Sequence, residues 1–207
     1  MIKHAAVNGK PTSVAGPPRS EIEEIRFYRA NEKPYGAFSN LFRRPIVFED
    51  QDFATAEHAY QAGKARKPEV RDWILSAPTP GLVAMAAHGL YTWDIVPNWS
   101  QIKFDRMRQV LRAKFSQHED LRQLLLSTGE ARLVEAGRVD NAVNRTWGEV
   151  NGKGLNMLGV LLMEIRTELR KEHVVTKNPS LGARSAELLA GGVNGHNGRG
   201  SIHAKKR

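Results

Sequence analysis

The sequence predicts one α+β domain that is mainly helical and carries a small β-sheet. Its 207 residues are enough for a single domain with a sizeable core. The hydrophobic share of 41% and the charged share of 26% are typical of a globular protein. Short β-rich runs occur early, and apolar residues at helical spacing dominate the remainder. We expect this domain at residues 21–173, between a flexible lead-in at 1–20 and a basic, mostly disordered tail at 174–207.

The predicted β-sheet is built from short runs near the start of the domain. Glu24–Tyr28 and Ile46–Phe48 are rich in residues that favour strands. The second run and Phe53 flank residues 49–52, whose composition is typical of a turn, so we expect a small hairpin there.

Helices account for the rest of the predicted domain, because apolar residues recur at helical spacing and form faces that suit a core. Capping and breaking residues set the ends of the first of them. In chain order, the first predicted helix begins after the N-cap Thr55 and ends before Pro68, and the second follows Pro80. The third covers residues 104–115, the fourth includes Leu121, Leu124 and Leu125, and the fifth covers residues 158–169.

The net charge of +9 is concentrated at the two ends of the chain. Residues 1–20 hold three basic residues and no acidic ones, which gives +3. Residues 174–207 hold six basic residues and one acidic residue, 6 − 1 = +5, so residues 21–173 carry 9 − 3 − 5 = +1. Such ends either hold a protein near DNA or RNA without reading its sequence, or are simply solvated termini.

Composition and motif content exclude several classes of protein. The chain has no cysteine, which excludes disulfides, thiol nucleophiles and thiolate metal sites. No apolar run approaches the ~20 residues that span a bilayer, and the N-terminus lacks the apolar centre of a secretory signal. We therefore expect a cytoplasmic protein without a membrane partner. The seven histidines lack metal-site spacing, and no Walker A, G-x-G-x-x-G or G-x-S-x-G sequence occurs, so no metal or cofactor is predicted.

A polar row on the first predicted helix is the leading candidate for catalysis. Glu57, Gln61 and Lys64 stand at i, i+4 and i+7, a spacing that puts them on one helix face. Neighbouring alanines and Gly63 allow other segments to approach closely, so the row can be buried. Burial of an acid beside an amine shifts both pKa values towards acid–base chemistry. The alternative is a solvated helix face with ordinary charge pairs.

A glycine-rich loop at residues 151–156 directly precedes the last predicted helix. A helix start of this kind presents free N–H groups that suit a phosphate, and Lys153 adds positive charge. Trp147, just upstream, has an indole that is suited to stacking on a base or covering a sugar. The alternative is an ordinary loop without a ligand.

Two other segments carry aromatic side chains that a ligand could use. In residues 35–40, Phe38 offers a stacking surface and Asn40 an amide for a ribose or base, although a hydrophobic staple beside a strand explains the same residues. Tyr91, Trp93 and Trp99 cluster in a predicted loop that could close over a site.

Short motifs along the domain occur in one particular order. They are Phe38-Ser39-Asn40, Glu57-His58 with Gln61 and Lys64, Trp99 with Lys103 and Met107, Lys114-Phe115, Leu124-Leu125, Val134-Glu135, Trp147-Gly148, Gly152-Lys153-Gly154 with Asn156, and Leu158-Gly159 through Leu162-Met163 to Arg166. In this order they resemble the NADAR family, the YbiA-like N-glycosidases. The resemblance covers roughly residues 26–170, and its specificity lies in the ordered set.

The resemblance implies a metal-free hydrolase that cuts an N-glycosidic bond between a ribose carbon and a nitrogen. Two substrate classes are associated with the family: ribosylaminopyrimidine phosphates of early riboflavin synthesis, and ADP-ribose attached to guanine in nucleic acid. The basic ends slightly favour the second class. Two alternatives are a non-catalytic module that binds ADP-ribose or a nucleotide, and a nucleic-acid-associated protein that acts through its basic ends.

The resemblance also implies the roles of individual residues. Glu57 would act as an acid–base or charge-stabilising group. Lys64 would bind phosphate or position Glu57 as an ammonium, or attack the anomeric carbon as a neutral amine. Asn144 stands where the family has an aspartate, so the third catalytic group is Asp140 if the segment returns that carboxylate to the site, and otherwise an amide. The expected substrate-binding residues are Phe38, Ser39, Asn40, His58, Gln61, Trp99, Trp147, Gly148, Lys153, Gly154 and Asn156.

Overall fold

The structure, a computed structural model, describes residues 23–177, with side chains through His173. The α+β class predicted from the sequence is confirmed: helices dominate, and the strands form two small sheets. The expected lead-in and nearly all of the expected tail lie outside the described residues. The last helix continues to Lys177, four residues beyond the predicted domain end at 173. Within the described part of the chain, no helix is long and apolar enough to cross a membrane.

Two two-stranded sheets frame the domain. Strand β1 (Glu24–Phe27) pairs in parallel with β4 (Arg132–Glu135), so that Phe27 lies opposite Glu135. Strands β2 (Ile46–Phe48) and β3 (Gln51–Phe53) form the predicted antiparallel hairpin. Glu49 and Asp50 make its turn at positive φ, which is why the turn is so short. The parallel pairing brings residues more than 100 positions apart to one sheet edge.

Seven helices complete the described chain. Their bounds are α1 Ala56–Ala62, α2 Pro68–Leu75, α3 Pro80–His88, α4 Trp99–Gln117, α5 Glu119–Ser127, α6 Ala142–Trp147 and α7 Met157–Lys177. Thr55 caps α1 as predicted, since its hydroxyl accepts from the backbone N–H of His58. The helix ends before Pro68, as predicted, but it does not reach Lys64. The helix stops at Ala62, because its last turn closes at Gly63, and Lys64 lies in the turn that follows.

The core lies between α4, α5, α7 and the β1–β4 pair. The apolar stripes predicted on α4 and α7 face each other, and Leu111, Leu162 and Ile165 are fully buried there. Burial of each such side chain stabilises the fold by roughly 1.5–3 kcal/mol. Phe38 is also fully buried, with its ring centroid 5.6 Å from that of Phe27. This core fixes the positions of the elements that surround a cleft on one side of the domain.

Candidate active site

A cleft of about 710 Å³ opens between α1, α3, α4, α6 and the ends of β1 and β4. This volume is typical of a small-molecule site. The residues that line the cleft come from separate parts of the chain: Tyr28, Arg29, Ala30, Ser39, Asn40, Leu41, Glu57, Tyr60, Gln61, Lys64, Ala84, His88, Trp99, Lys103, Met107, Glu135, Arg138, Ala142, Val143, Asn144, Thr146, Trp147 and Leu158.

Glu57 is a buried carboxylate in the wall of this cleft. Its backbone N–H donates to the carbonyl of Asn40 at 3.1 Å, which ties the start of α1 to the loop after β1. Gln61, one turn later, donates from Nε2 to Glu57 Oε1 at 2.7 Å. Burial raises the pKa of Glu57 to about 7, against the opposing effects of the Gln61 hydrogen bond and the charge of Lys64. The group is therefore poised to give or take a proton near neutral pH.

Lys64 lies in the same cleft and is also buried. Its Nζ donates to the carbonyl of Ala87 at 2.6 Å, at the end of α3. Burial lowers the pKa of Lys64, and the nearby charge of Glu57 partly offsets this effect. The structure thus brings the predicted row of Glu57, Gln61 and Lys64 together as a buried acid–amide–amine set.

Glu135 adds a second carboxylate to the cleft at the end of β4. Burial, with the negative charge of Glu57 as the second cause, raises the pKa of Glu135 to about 7. The amide of Asn156 fixes the end of the strand: its Oδ1 accepts from the Glu135 N–H at 3.0 Å, and its Nδ2 donates to the Leu133 carbonyl at 2.8 Å. Asn156 is thereby a support of Glu135, and it is not among the residues that line the cleft.

Glu135 was not predicted as a site residue from the sequence, although a signal was present. A carboxylate directly follows the buried pair Leu133 and Val134, and an acid at the end of an apolar strand is a typical position for a functional group. The parallel pairing with β1, which turns this strand end towards the cleft, is not visible in the sequence.

The structure does not bring Asp140 to the cleft. Its carboxylate is exposed and is bound by the guanidinium of Arg145 at 2.5 and 2.7 Å. The hydrogen bonds from Arg145, and then its charge, hold the pKa of Asp140 below its usual range. The alternative of an amide at this position is what the geometry provides, since Asn144 lines the cleft and donates from Nδ2 to the Val139 carbonyl at 2.7 Å.

Aromatic side chains form one wall of the cleft. Trp99 and Trp147, which the sequence predicted there, both line it and flank Tyr60. The Tyr60 ring centroid lies 5.1 Å from that of Trp99 and 5.5 Å from that of Trp147. Tyr91 and Trp93 stack on each other at 4.5 Å, but they are exposed and do not line the cleft, so this structure gives no support to the predicted lid.

The glycine-rich loop is also outside the cleft. Lys153 is exposed and pairs through its backbone with Val150. Gly154 has φ of 151°, and a Cβ there would lie 2.1 Å from the Gly148 carbonyl oxygen. Gly148 in turn allows close approach of the Glu135 backbone, 2.3 Å from the position of a Cβ. These glycines pack the segment that carries Glu135, and no cleft contact remains for Lys153.

Three cationic side chains other than Lys64 line the cleft, whereas Lys153, which was predicted to bind phosphate, does not. They are Arg29 and Arg138, both exposed, and the half-buried Lys103. Together with Lys64 they give four basic side chains against the two carboxylates, Glu57 and Glu135. Even with both carboxylates ionised and Lys64 neutral, three positive charges stand against two negative ones. The cleft is therefore electropositive, which suits a phosphorylated ligand.

The remaining predicted binding residues divide between cleft and core. Ser39 and Asn40 line the cleft, as does Gln61. Phe38 lies in the core and has no access to a ligand. His58 is buried against Thr55, with Nδ1 2.7 Å from the hydroxyl oxygen, and does not line the cleft. The structure therefore gives no support to a binding role for these two residues. Phe38 packs against apolar neighbours, and His58 contacts the hydroxyl of the helix cap Thr55.

No group of three or more histidine or acidic side chains in the described residues could hold a metal ion. The groups able to act in the cleft are two carboxylates with raised pKa values, an amine with a lowered one, and two indoles. Such a set is suited to acid–base chemistry inside a cleft.

Comparison with known proteins identifies the family. Residues 26–170 match the NADAR domain. The N-glycosidase YbiA of Shigella flexneri is 40% identical over 149 residues, which are 72% of this chain and 89% of that protein. The NMR structure of Escherichia coli YbiA superposes with a TM-score of 0.65 at 37% identity, over 73% of this chain and 88% of that one.

A more distant relative belongs to a longer protein. The riboflavin biosynthesis protein VVA0006 of Vibrio vulnificus is 31% identical over 156 residues, 74% of this chain but 41% of that protein. The chain belongs to the NADAR family, and its place among relatives named N-glycosidase makes it an enzyme of that class. The family resemblance drawn from the sequence is thus confirmed.

Proposed function

We propose that this enzyme hydrolyses the N-glycosidic bond between a phosphorylated ribose and a nitrogen base. The observation that carries the proposal is the pair formed by the buried Glu57 and the partly buried Glu135, whose pKa values are raised to about 7 inside one aromatic-walled, cationic cleft. Hydrolysis of a ribosyl C–N bond passes through an oxocarbenium-like state. It therefore needs an acid for the leaving nitrogen, a base for the water, and negative charge near the sugar.

Glu57 is the proposed general acid. In its protonated form it gives its proton to the leaving nitrogen as the C1–N bond breaks and that nitrogen takes the electron pair. The carboxylate that remains then faces the positive charge on the sugar. The raised pKa keeps a large share of Glu57 protonated at neutral pH, as this role requires.

Glu135 is the proposed general base. In its ionised form it accepts a proton from the water whose oxygen bonds to C1. The charge of Glu57 is one cause of the raised Glu135 pKa, so the two groups influence each other's protonation. A state with one proton shared between the pair supplies an acid and a base at once, and exchange with solvent restores it after each turnover.

Lys64 has two roles that remain open. As an ammonium it would attract the substrate phosphate and hold Glu57 ionised late in the reaction. As a neutral amine it would attack C1, so that a C1–Nζ bond forms and the bond to the base breaks. Opening of the sugar ring then gives a Schiff base, which water hydrolyses to free amine and sugar aldehyde. Its lowered pKa supports the covalent route.

Trp99 and Trp147 would enclose the base and sugar, and Arg29, Lys103 and Arg138 would bind phosphate. Two substrate classes fit this chemistry. The ribosylaminopyrimidine phosphates are favoured by the relative named a riboflavin biosynthesis protein. ADP-ribose on guanine in nucleic acid is favoured by the charges of +3 and +5 in residues 1–20 and 174–207, which lie almost wholly outside the described part of the chain.

The test is incubation of the full chain with each substrate class, with release of sugar followed by mass spectrometry. One arm uses ADP-ribosylated guanine in a DNA oligonucleotide, and the other uses the ribosylaminopyrimidine phosphates. Cleavage of one or both supports the proposal and identifies the class. Cleavage of neither by folded protein overturns it, and tight binding of ADP-ribose without turnover would instead support a binding module.

A further inference from the structure

We propose that Asn40 and Gln61 form a ribose-recognition subsite, in which their side-chain oxygens accept hydrogen bonds from adjacent hydroxyl groups of the sugar. This inference rests on the proposed function, because it names the part of the substrate that these two residues bind. Neither residue takes part in the proton transfers assigned to Glu57 and Glu135.

The evidence is a pair of buried acceptors without partners. Asn40 Oδ1 and Gln61 Oε1 are two of four buried side-chain polar atoms without a hydrogen-bond partner among the described residues. Both belong to residues that line the cleft, and these are only 8% and 3% exposed. A buried polar atom left unpaired destabilises the folded chain, and most such atoms in proteins have a partner. Two such atoms in the wall of one cleft are explained if a ligand supplies the missing donors.

The amide orientations leave the two oxygens as the atoms without a partner. Gln61 uses Nε2 to bind Glu57 Oε1 at 2.7 Å. Asn40 uses Nδ2 to bind Met107 Sδ at 3.2 Å. Each NH2 group thus has a partner for one of its N–H bonds, whereas each oxygen has none, and an oxygen acceptor binds O–H or N–H groups and repels phosphate oxygens. The pair is therefore unsuited to the phosphate that the cations of the cleft attract.

The wall that carries Asn40 is held rigidly from behind. Lys114 is fully buried and donates from Nζ to the carbonyls of Ala37 at 2.5 Å and Ser39 at 2.9 Å. The Asn40 carbonyl accepts from the N–H of Glu57 at 3.1 Å. The Asn40 backbone is thus fixed relative to the proposed acid, as a subsite for a reacting sugar requires. Since both oxygens are covered in the free chain, binding includes a small side-chain movement of the kind common on association.

Ribose hydroxyls are the donors that this position favours. Glu57 acts at the C1–N bond, and Gln61 is hydrogen-bonded to the Glu57 carboxylate, so its oxygen lies near C1. The nearest donor on the sugar is the 2′-hydroxyl, and the 3′-hydroxyl is its neighbour. Hydrogen bonds to the 2-hydroxyl strengthen as glycosidic bonds break, so this contact would also assist the reaction. An amino group of the leaving base is the other possible source of donors.

The test measures binding, so it does not depend on turnover. Isothermal titration of the full chain with ribose 5-phosphate and with 2-deoxyribose 5-phosphate gives a preference ratio. We expect the wild-type chain to prefer ribose by about tenfold, the value of one well-made hydrogen bond to a buried acceptor. Gln61→Met, which loses the acceptor for the 2′-hydroxyl, should reduce this ratio towards one. Asn40→Leu should weaken the binding of both sugars, because both carry the 3′-hydroxyl, and Asn40→Asp, which keeps an acceptor, should bind both more tightly than Asn40→Leu.

Gln109→Met is the matched control. Gln109 donates to Asp105 at 2.7 Å in the same i, i+4 arrangement as Gln61 and Glu57, but on an exposed face of α4. Its variant should keep the wild-type ratio. Circular dichroism melts check that each variant is folded, and Asn40→Asp provides a second reading of position 40 if Asn40→Leu does not fold.

Three results would overturn the subsite. They are equal binding of the two sugars by the wild-type chain, an unchanged preference in Gln61→Met together with unchanged sugar affinity in Asn40→Leu, and weaker binding of free guanine or diaminopyrimidinone in these variants with unchanged sugar binding. The last result would assign the acceptors to the base. Sugar discrimination without cleavage of any N-glycoside would instead support the subsite and contradict the proposed function.

Discussion

Glu57 and Glu135 stand in one cleft near enough that the charge of the first raises the pKa of the second. They come from opposite parts of the chain, one from the first turn of α1 and the other from the end of β4. Burial moves both pKa values to about 7. This relationship is the physical basis of the proposed acid–base chemistry, and each prediction below changes one part of it.

The pH dependence of turnover should be bell-shaped and narrow, with its maximum near pH 7. Glu57 must be protonated to act as acid, so kcat/KM should fall as the pH rises above about 7. Glu135 must be ionised to act as base, so kcat/KM should fall below about 7. Because the protonation of Glu57 and that of Glu135 are coupled, the apparent pKa values of the two limbs belong to the pair and not to either residue alone. A rate that is constant from pH 5 to 9 would be incompatible with this assignment.

Replacement of Glu135 in the cleft should lower turnover, whereas replacement of Asp140 at the surface should not. Glu135→Gln should lower kcat by about 10²–10⁴, the usual contribution of a general base, and should remove the acid limb of the pH profile. Asp140→Asn is the control, because Asp140 is exposed and paired with Arg145. Its kcat should stay within about twofold of the wild-type value. The reverse pattern would return the third catalytic group to Asp140 and refute the role of Glu135.

The covalent role of Lys64 can be tested by chemical trapping. If its amine bonds to C1, borohydride added during turnover should reduce the Schiff base and leave the sugar attached to Lys64, detectable in a tryptic peptide. Lys64→Arg keeps the positive charge but cannot form this bond, so its adduct should be absent and its turnover low. Turnover without any trapped adduct, together with substantial activity of Lys64→Arg, would leave Lys64 only its electrostatic role.

Burial of Glu57 should also affect stability in a defined direction. Its folded pKa of about 7 exceeds its ordinary value of 4.5, so the folded state binds more protons between these values. Its contribution to stability is therefore complete below pH 4.5 and is lost as the pH rises through 7. The shift corresponds to about 3 kcal/mol.

Glu57→Gln removes this titration and keeps an acceptor for Gln61. Compared with the wild-type chain, the variant should therefore gain about 3 kcal/mol in the free energy of unfolding between pH 4.5 and pH 8. Urea unfolding across that range measures the difference. Glu119→Gln, which changes an exposed carboxylate bound by Gln123 in the same i, i+4 arrangement, should show no comparable gain. A constant difference between wild type and Glu57→Gln across this range would show that Glu57 does not titrate with a raised pKa.

Local patterns predicted much of this molecule. The cap at Thr55, the hairpin of β2 and β3, and the apolar stripes of α4 and α7 all depend on neighbouring residues, and the structure has them. The row containing Glu57 and Gln61 was also visible, because helical spacing alone places them on one face. What the sequence could not show was that this face is turned into a cleft.

The errors concern contacts between distant segments. Strand β4 was not predicted, since its pairing with β1 joins residues more than 100 positions apart, and Glu135 was missed with it. Asp140 was the third catalytic group implied by the resemblance if its segment returned the carboxylate to the site, but Arg145 binds it at the surface. Lys153 stands in a glycine-rich loop before a helix, a pattern that favours phosphate binding. Tight packing of Gly154 against Gly148 nevertheless keeps this loop out of the cleft. Spacing fixes a helix face, whereas these positions are fixed by tertiary packing.

The most direct measurement of the central claim is the turnover of Glu57→Gln on whichever N-glycoside the wild-type enzyme cleaves. The substitution keeps the size of the side chain and its hydrogen bond with Gln61, and removes only the transferable proton. With Glu119→Gln as the folded control, we predict that kcat falls by about 10²–10⁴ while the control retains the wild-type rate. A Glu57→Gln enzyme that turns over at nearly the wild-type rate would contradict the claim that this buried carboxylate protonates the leaving base.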